Sequence, residues 1–188
     1  MVPLMRRYFA SRQELEAWLE DDPPAEGVWV LFPRARSGAP GISHAEALEA
    51  ALCFGWIDAQ KGVGDETHWC QRFMPRTKRS IWSKVNRAKA EALIASGAMR
   101  PSGLAEVERA KADGRWDGAY DAASTATVPD DLAEALEGAG GRAFFDALNS
   151  RNRYAILHRV QTAKKPETRA RRIGKFAAMC AAGERIYP

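Results

Sequence analysis

The residues with the most chemical potential lie in one basic stretch, PRTKRSIWSKVNR at 75–87. Arg76, Lys78 and Arg79 precede a helix that the sequence starts near Ser83. The first turn of a helix leaves backbone N–H groups unsatisfied and carries the positive end of the helix dipole. Side-chain cations, backbone donors and the hydroxyls of Ser80 and Ser83 would then face one place. That chemistry suits a phosphate or a carboxylate. Arg76 is the first choice for the contact, because a guanidinium grips two oxygens at once. The same residues also fit a solvated loop followed by an ordinary helix cap. A second set, Lys165, Arg169 and Arg172 with Lys164 in AKKPETRARR (163–172), offers the same chemistry at another helix start. There Glu167 and Arg171 also form a favourable i,i+4 pair, which accounts for part of the charge without a ligand.

In WIDAQ (56–60), Asp58 stands among apolar residues next to Trp56. A carboxylate on a half-buried strand needs a partner, and Arg72 or Arg76 would serve. Beside the basic loop, Asp58 could act as the acid/base of an enzyme on a small anionic substrate. It fits a structural ion pair equally well. Trp69, Phe73 and Trp82 interleave with Arg72, Arg76, Lys78 and Arg79, a pattern able to stack on and neutralise single-stranded nucleic acid. Aromatic residues at strand spacing more often belong to a core, and no known nucleic-acid module is matched, so this partner is the less favoured one. His44, His68 and His158 lack metal-ligand spacing, and Cys53, Cys70 and Cys180 include no C-x-x-C. His68 and Cys70 share a strand face, which is adjacency and little more. No metal and no bound cofactor are expected.

These residues must be positioned by elements that the pattern predicts. Ser11–Glu14 and Ser43–Glu46 are capping-box signatures, each opening an amphipathic helix. GVWVLFP (27–33) reads as a buried strand. WIDAQKG (56–62) and THWCQRFMP (67–75) flank a turn around VGDE and read as a β-hairpin. A helix from Ser83 to about 96 is expected to bury Val85, Ala88 and Ala92, and Gly97 to end it. From Pro129 onward the chain reads as helices only. Tyr154, Leu157 and Val160 stripe one of them, and Ile173, Phe176, Ala177 and Cys180 stripe the last. The expected fold is α+β: a small antiparallel sheet packed with helices over 1–125, then a helical segment over 126–188.

The 188 residues are 46% hydrophobic and 28% charged, a globular balance. The net charge of +4 hides an asymmetry. Residues 151–188 hold ten Lys/Arg against two Glu, whereas 1–150 hold eighteen against twenty-two acids. Such a basic segment favours anionic partners. No run is long and apolar enough for a membrane span. The opening MVPLMRRYFASRQELEAWLE has no apolar run of signal-peptide length, and unpaired cysteines suit a reducing compartment. A cytoplasmic location with buried free thiols is therefore expected.

ALCFGWIDAQ (51–60), FMPRTKRSIWSKVNRAKAEALIASGAM (73–99), GRWDGAYD (114–121), VPDDLAEAL (128–136) and AKKPETRARRI (163–173) resemble the YdeI/OmpD-associated (bacteriocin-protection) family, in that family's order. Arg159 stands where the family often has a tryptophan. The resemblance implies a bacterial protein tied by name to tolerance of bacteriocins or cationic antimicrobial peptides, and to an outer-membrane porin. The porin link is at odds with the expected cytoplasmic location. The functional expectation is a non-catalytic binding or stress-tolerance factor. The alternatives are an enzyme or binding protein for a small anionic or phosphorylated ligand, and a nucleic-acid binder. The sequence names no protein partner.

Overall fold

A computed structural model describes residues 5–188. Its contacts divide the chain into two compact units, residues 1–82 with 86–117 and residues 83–85 with 118–188.

The first unit is built on a four-stranded sheet in the order β1-β2-β4-β3. The strands are β1 (Arg6–Tyr8), β2 (Val28–Pro33), β3 (Trp56–Gly62) and β4 (His68–Pro75). The expected hairpin is β3 and β4. Its turn is closed by Asp65, whose Oδ1 accepts from the N–H and hydroxyl of Thr67 and from the N–H of His68. Those donors hold the carboxyl down at about 2. β2 pairs antiparallel with β4. The sequence did not announce β1, which adds a parallel edge to β2. A parallel pair needs a crossover, and α1 (Arg12–Glu20) supplies it.

Alternation on the strands puts Val28, Val30 and Phe32 of β2 on the same face as Gln71 and Phe73 of β4. α1 and α2 (His44–Cys53) pack together, and α2 packs on β3. Ser43 and Glu46 form the predicted capping box of α2. At α1 the Ser11 side chain accepts from Glu14 N–H, but the Glu14 carboxylate reaches back to the N–H of Ala10. Gly55 ends α2 at φ +77°, and a Cβ there would sit 2.9 Å from the carbonyl oxygen of Ser102 in α4 (Pro101–Ala112). Glycine is required on both counts.

α3 (Lys84–Ala95) corrects the sequence reading. It buries Ala90 and Leu93, while Val85, Ala88 and Ala92 are exposed. Alanines lie all round this helix, so its apolar pattern admits more than one inward face. The stems of Arg87 and Lys89, both half-buried, help cover the chosen one.

The second unit holds α5 (Asp130–Gly138), α6 (Arg142–Ala147), α7 (Ser150–Gln161) and α8 (Pro166–Ala181). Leu132, Leu136, Phe145, Ile156, Val160 and Phe176 are the heart of its core. The predicted face of α8 is the buried one: Ile173, Phe176, Ala177 and Cys180. On α7, Leu157 and Val160 are core as expected, but Tyr154 is only half-buried. All three cysteines are free and buried. No helix among the described residues is long and apolar enough to cross a membrane.

Arg169 links α8 to α5 through a two-pronged bond to Asp131, at 2.7 and 2.8 Å. The guanidinium holds the Asp131 carboxyl below its ordinary value. The folded state therefore binds fewer protons than the unfolded state through the acid range. The pair's stabilisation is present above the ordinary carboxylate value near 3.8 and is lost as pH falls through the depressed one. Urea unfolding followed from pH 7 to pH 2 should lose stability less steeply in Asp131→Asn than in the parent. Because Asp131 is half-exposed, the difference should be modest.

Candidate functional site

A cleft with a volume of about 720 Å³ lies in the second unit. Most of its wall is one face of α7. Arg151, Tyr154, Ala155, His158, Arg159 and Thr162 recur at helical spacing and all line it. Tyr120, Arg172 of α8 and Tyr187 complete the polar lining. No acidic residue lines this cleft, and none of its three arginines has a carboxylate partner among the described residues.

Arg159 and Arg172 are oriented by backbone acceptors instead, and Arg151 by an aromatic ring. Arg159 donates from Nη1 to the carbonyl of Ala155 at 2.8 Å and from Nη2 to the Tyr187 hydroxyl at 3.3 Å. Arg172 donates from Nη1 to the carbonyl of Arg159. Arg151 lies 4.3 Å over the Tyr187 ring. Tyr187 is itself held by Asn152, which is 1% exposed and bonds both its N–H and its carbonyl. Arg159 lowers the titration of the Tyr187 phenol through their hydrogen bond.

His158 sits between aromatic rings, edge-on to Tyr120 at 4.6 Å and tilted against Tyr154 at 5.7 Å. Tyr154 donates its hydroxyl to the carbonyl of Asp121 at 2.9 Å. Burial first, and then Arg159 and Arg172, push His158 below its ordinary value. The imidazole is thus neutral near pH 7 and able to take up a proton when negative charge enters. Three guanidinium groups without acids offer donors suited to an anion, and the imidazole and tyrosine rings offer a proton acceptor and flat apolar contacts.

Of the residues singled out from sequence, only Arg172 lines this cleft. Arg169 is taken by Asp131 and by the carbonyl of Val160, and Lys165 is exposed at the N-cap position of α8. The three residues of that basic stretch are therefore not brought together on one ligand. In the first unit Arg76 is 5% exposed, with its guanidinium 3.5 Å over the Trp82 ring and Nη1 donating to the carbonyl of Ile81. Lys78 and Arg79 are exposed. Ser80 spends its hydroxyl on the N–H of Thr77, within a tight turn that Arg115 ties down through the Ser80 carbonyl at 2.7 Å. Ser83 stands just before α3 and belongs to the second unit, within which it bridges to Tyr120.

Trp56 is buried edge-on to Trp18. Asp58 corrects the expected pairing. Its partners are Gln71 and His44, while Arg72 donates to the carbonyl of Glu26. Strand register explains this: Phe73 lies opposite Asp58, so Gln71 shares its face and Arg72 points to the other. Cys70 donates to the carbonyl of Val63 rather than to His68. No group of three or more His, Cys, Asp or Glu able to hold a metal occurs among the described residues.

The sequence reading missed Arg151, Tyr154, His158, Arg159 and Tyr187 as site residues. The available signal was the polar, aromatic face of α7 at i, i+3, i+4, i+7 and i+8, opposite its apolar stripe.

Comparison with known proteins yields two family matches. Residues 7–106 match a domain of unknown function, DUF8412, and residues 125–183 match the family described as bacteriocin-protection, YdeI or OmpD-associated. The segments 51–60 and 73–99, read above as part of one resemblance, fall inside the first match. No curated protein and no solved structure matches the chain. The chain belongs to the DUF8412 domain family, joined at residues 125–183 to a domain of the YdeI/OmpD-associated bacteriocin-protection family.

Proposed function

We propose that this protein is a binding protein for a small anionic ligand with an aromatic part, such as an aryl phosphate or aryl carboxylate, held in the second unit's cleft. The observation that carries this reading is the set of Arg151, Arg159 and Arg172 around one cavity of about 720 Å³ with no acid in its lining. Arg159 and Arg172 are half-buried and Arg151 is exposed beside them, and cations partly withdrawn from water favour a counter-charge. The tyrosines offer ring faces and edges to a flat ligand body. Residues 150–172 of the lining fall within the stretch matched to the bacteriocin-protection family, while Tyr120, Ala123 and Tyr187 lie outside it. Ligand binding by that domain is a physical basis on which a cytoplasmic protective role could rest.

Phenyl phosphate is a suitable probe, because it has both a charge and a ring. Calorimetric titration should give one site whose affinity weakens as salt rises, as screening of a cationic site requires. Its pH dependence follows from His158. The free protein holds this imidazole below its ordinary value, and a bound anion raises it. Protons are therefore taken up on binding. Affinity should rise as pH falls from the bound-state value toward the free-state one and level off below it. In His158→Gln that slope should vanish apart from the phosphate's own titration, which phenyl sulfonate lacks. Absence of saturable binding, or binding that is indifferent to salt, would remove the reading.

A further inference from the structure

The first unit carries a second polar site of opposite sign, at the start of α2. We propose that His44, Asp58 and Gln71 form a binding site for an organic cation, an alkylammonium or guanidinium group. This goes beyond the anion-binding cleft and does not depend on it.

Gln71 is 5% exposed and donates from Nε2 to Asp58 Oδ2 at 2.6 Å. The other end of the same amide, Oε1, is buried with no hydrogen-bond partner among the described residues. A buried carbonyl oxygen without a donor is costly, so such groups mark the place of a missing partner. His44 Nε2 approaches the same Oδ2 at 3.3 Å, without hydrogen-bond alignment. Both contacts of the carboxylate thus fall on one oxygen. The side chains of Asp58 and His44 are 24% and 31% exposed, so the group opens to solvent. The site offers acceptors, one of them charged, and asks for a donor with positive charge.

Its walls select the kind of cation. The rings of Phe32, Trp69 and Phe73 lie 5.5, 5.7 and 5.9 Å from the His44 ring; Phe32 and Phe73 are buried behind it, so half-buried Trp69 is the ring that can meet a ligand. Aromatic faces attract weakly hydrated organic cations, whereas a divalent metal ion asks for more oxygen ligands than this site holds. Trp69 already draws a cation of this chain: Lys61 Nζ stands 5.4 Å from its ring centroid. Lys61 is exposed, so it competes with an incoming ligand rather than filling the site.

The test uses the full chain, labelled with ¹⁵N and titrated with methylguanidinium and n-butylammonium against sodium at constant ionic strength. Saturable shifts of the Gln71 side-chain amide and the Trp69 indole N–H are expected with the organic cations and not with sodium. Asp58→Asn should weaken binding at least tenfold. Lys61→Ala, at an exposed position, should tighten it several-fold by removing the competing charge. A short oligolysine or oligoarginine peptide that binds tenfold better than the free cation would identify a peptide side chain as the source. Equal affinity would identify a free amine. The proposal is overturned if saturating cation leaves Gln71 and Trp69 unmoved, since Gln71 Oε1 then takes no cationic donor. It is overturned equally if Asp58→Asn and Lys61→Ala both bind as the parent does.

Discussion

Phe176→Ala should destabilise the second unit by about 3–5 kcal/mol, the cost of emptying a fully packed aromatic site. Phe176 is 4% exposed and joins α8 to the core formed by Leu132, Leu136, Phe145 and Val160. The ring's loss removes its own burial and leaves a cavity that helices fixed by their other contacts cannot close fully. Urea unfolding monitored at second-unit residues by hydrogen exchange measures the loss. A change below about 0.5 kcal/mol, the scale of ordinary surface substitutions, would mean that α8 presents another face. Because α8 also carries Arg172, the unfolding midpoint of any cleft variant has to be compared with that of its parent.

Charge reversal in the cleft is the second large effect. Arg159→Glu removes one guanidinium and adds a carboxylate to the cleft lined by Arg151 and Arg172, so the three positive charges fall to a net of one. Hydrogen bonds to charged groups are worth about 1.5–3 kcal/mol each, and repulsion of the ligand adds to that loss. Affinity for phenyl phosphate should therefore fall by about 100-fold or more. Arg159→Gln, which removes charge without reversing it, should fall by about tenfold. The bond from Arg159 to Tyr187 is lost in both variants. Equal losses in the two would therefore assign Arg159 a role in holding Tyr187 rather than in meeting the anion.

What could be read from the sequence follows a physical line. Periodicity and caps are local, and they gave the hairpin at 56–75, the capping box at Ser43 and the buried face of α8. β1 escaped because Arg6–Tyr8 is short and carries two arginines, so no apolar run marks it; its pairing with β2 is set by the crossover. Long-range pairing decided the sites. Arg169 looked free for an anion because Asp131, its partner, lies 38 residues earlier. Arg76 looked like a loop cation because nothing local shows that Trp82 folds back over its guanidinium. Asp58 was legible as a carboxylate needing a partner, while the partner itself depended on register. The cleft was the least legible feature, since Tyr120, Arg172 and Tyr187 meet α7 only in three dimensions.

The basic character of residues 151–188 acquires a structural meaning from this arrangement. Asp131 compensates Arg169, and three of the other cations, Arg151, Arg159 and Arg172, line one cavity. Concentrated charge beside low-dielectric walls attracts small anions more strongly than the same charge spread over a surface.

An anion bound in the second unit's cleft should leave its mark on the groups that line it. The most direct measurement is the map of backbone and side-chain N–H shifts during titration with phenyl phosphate. Saturable shifts are expected to cluster at 150–162, at Arg172 and at Tyr187, and all to be lost in Arg159→Glu. Shifts clustered instead at 76–80 of the first unit, or none at saturating ligand, would contradict binding in the cleft.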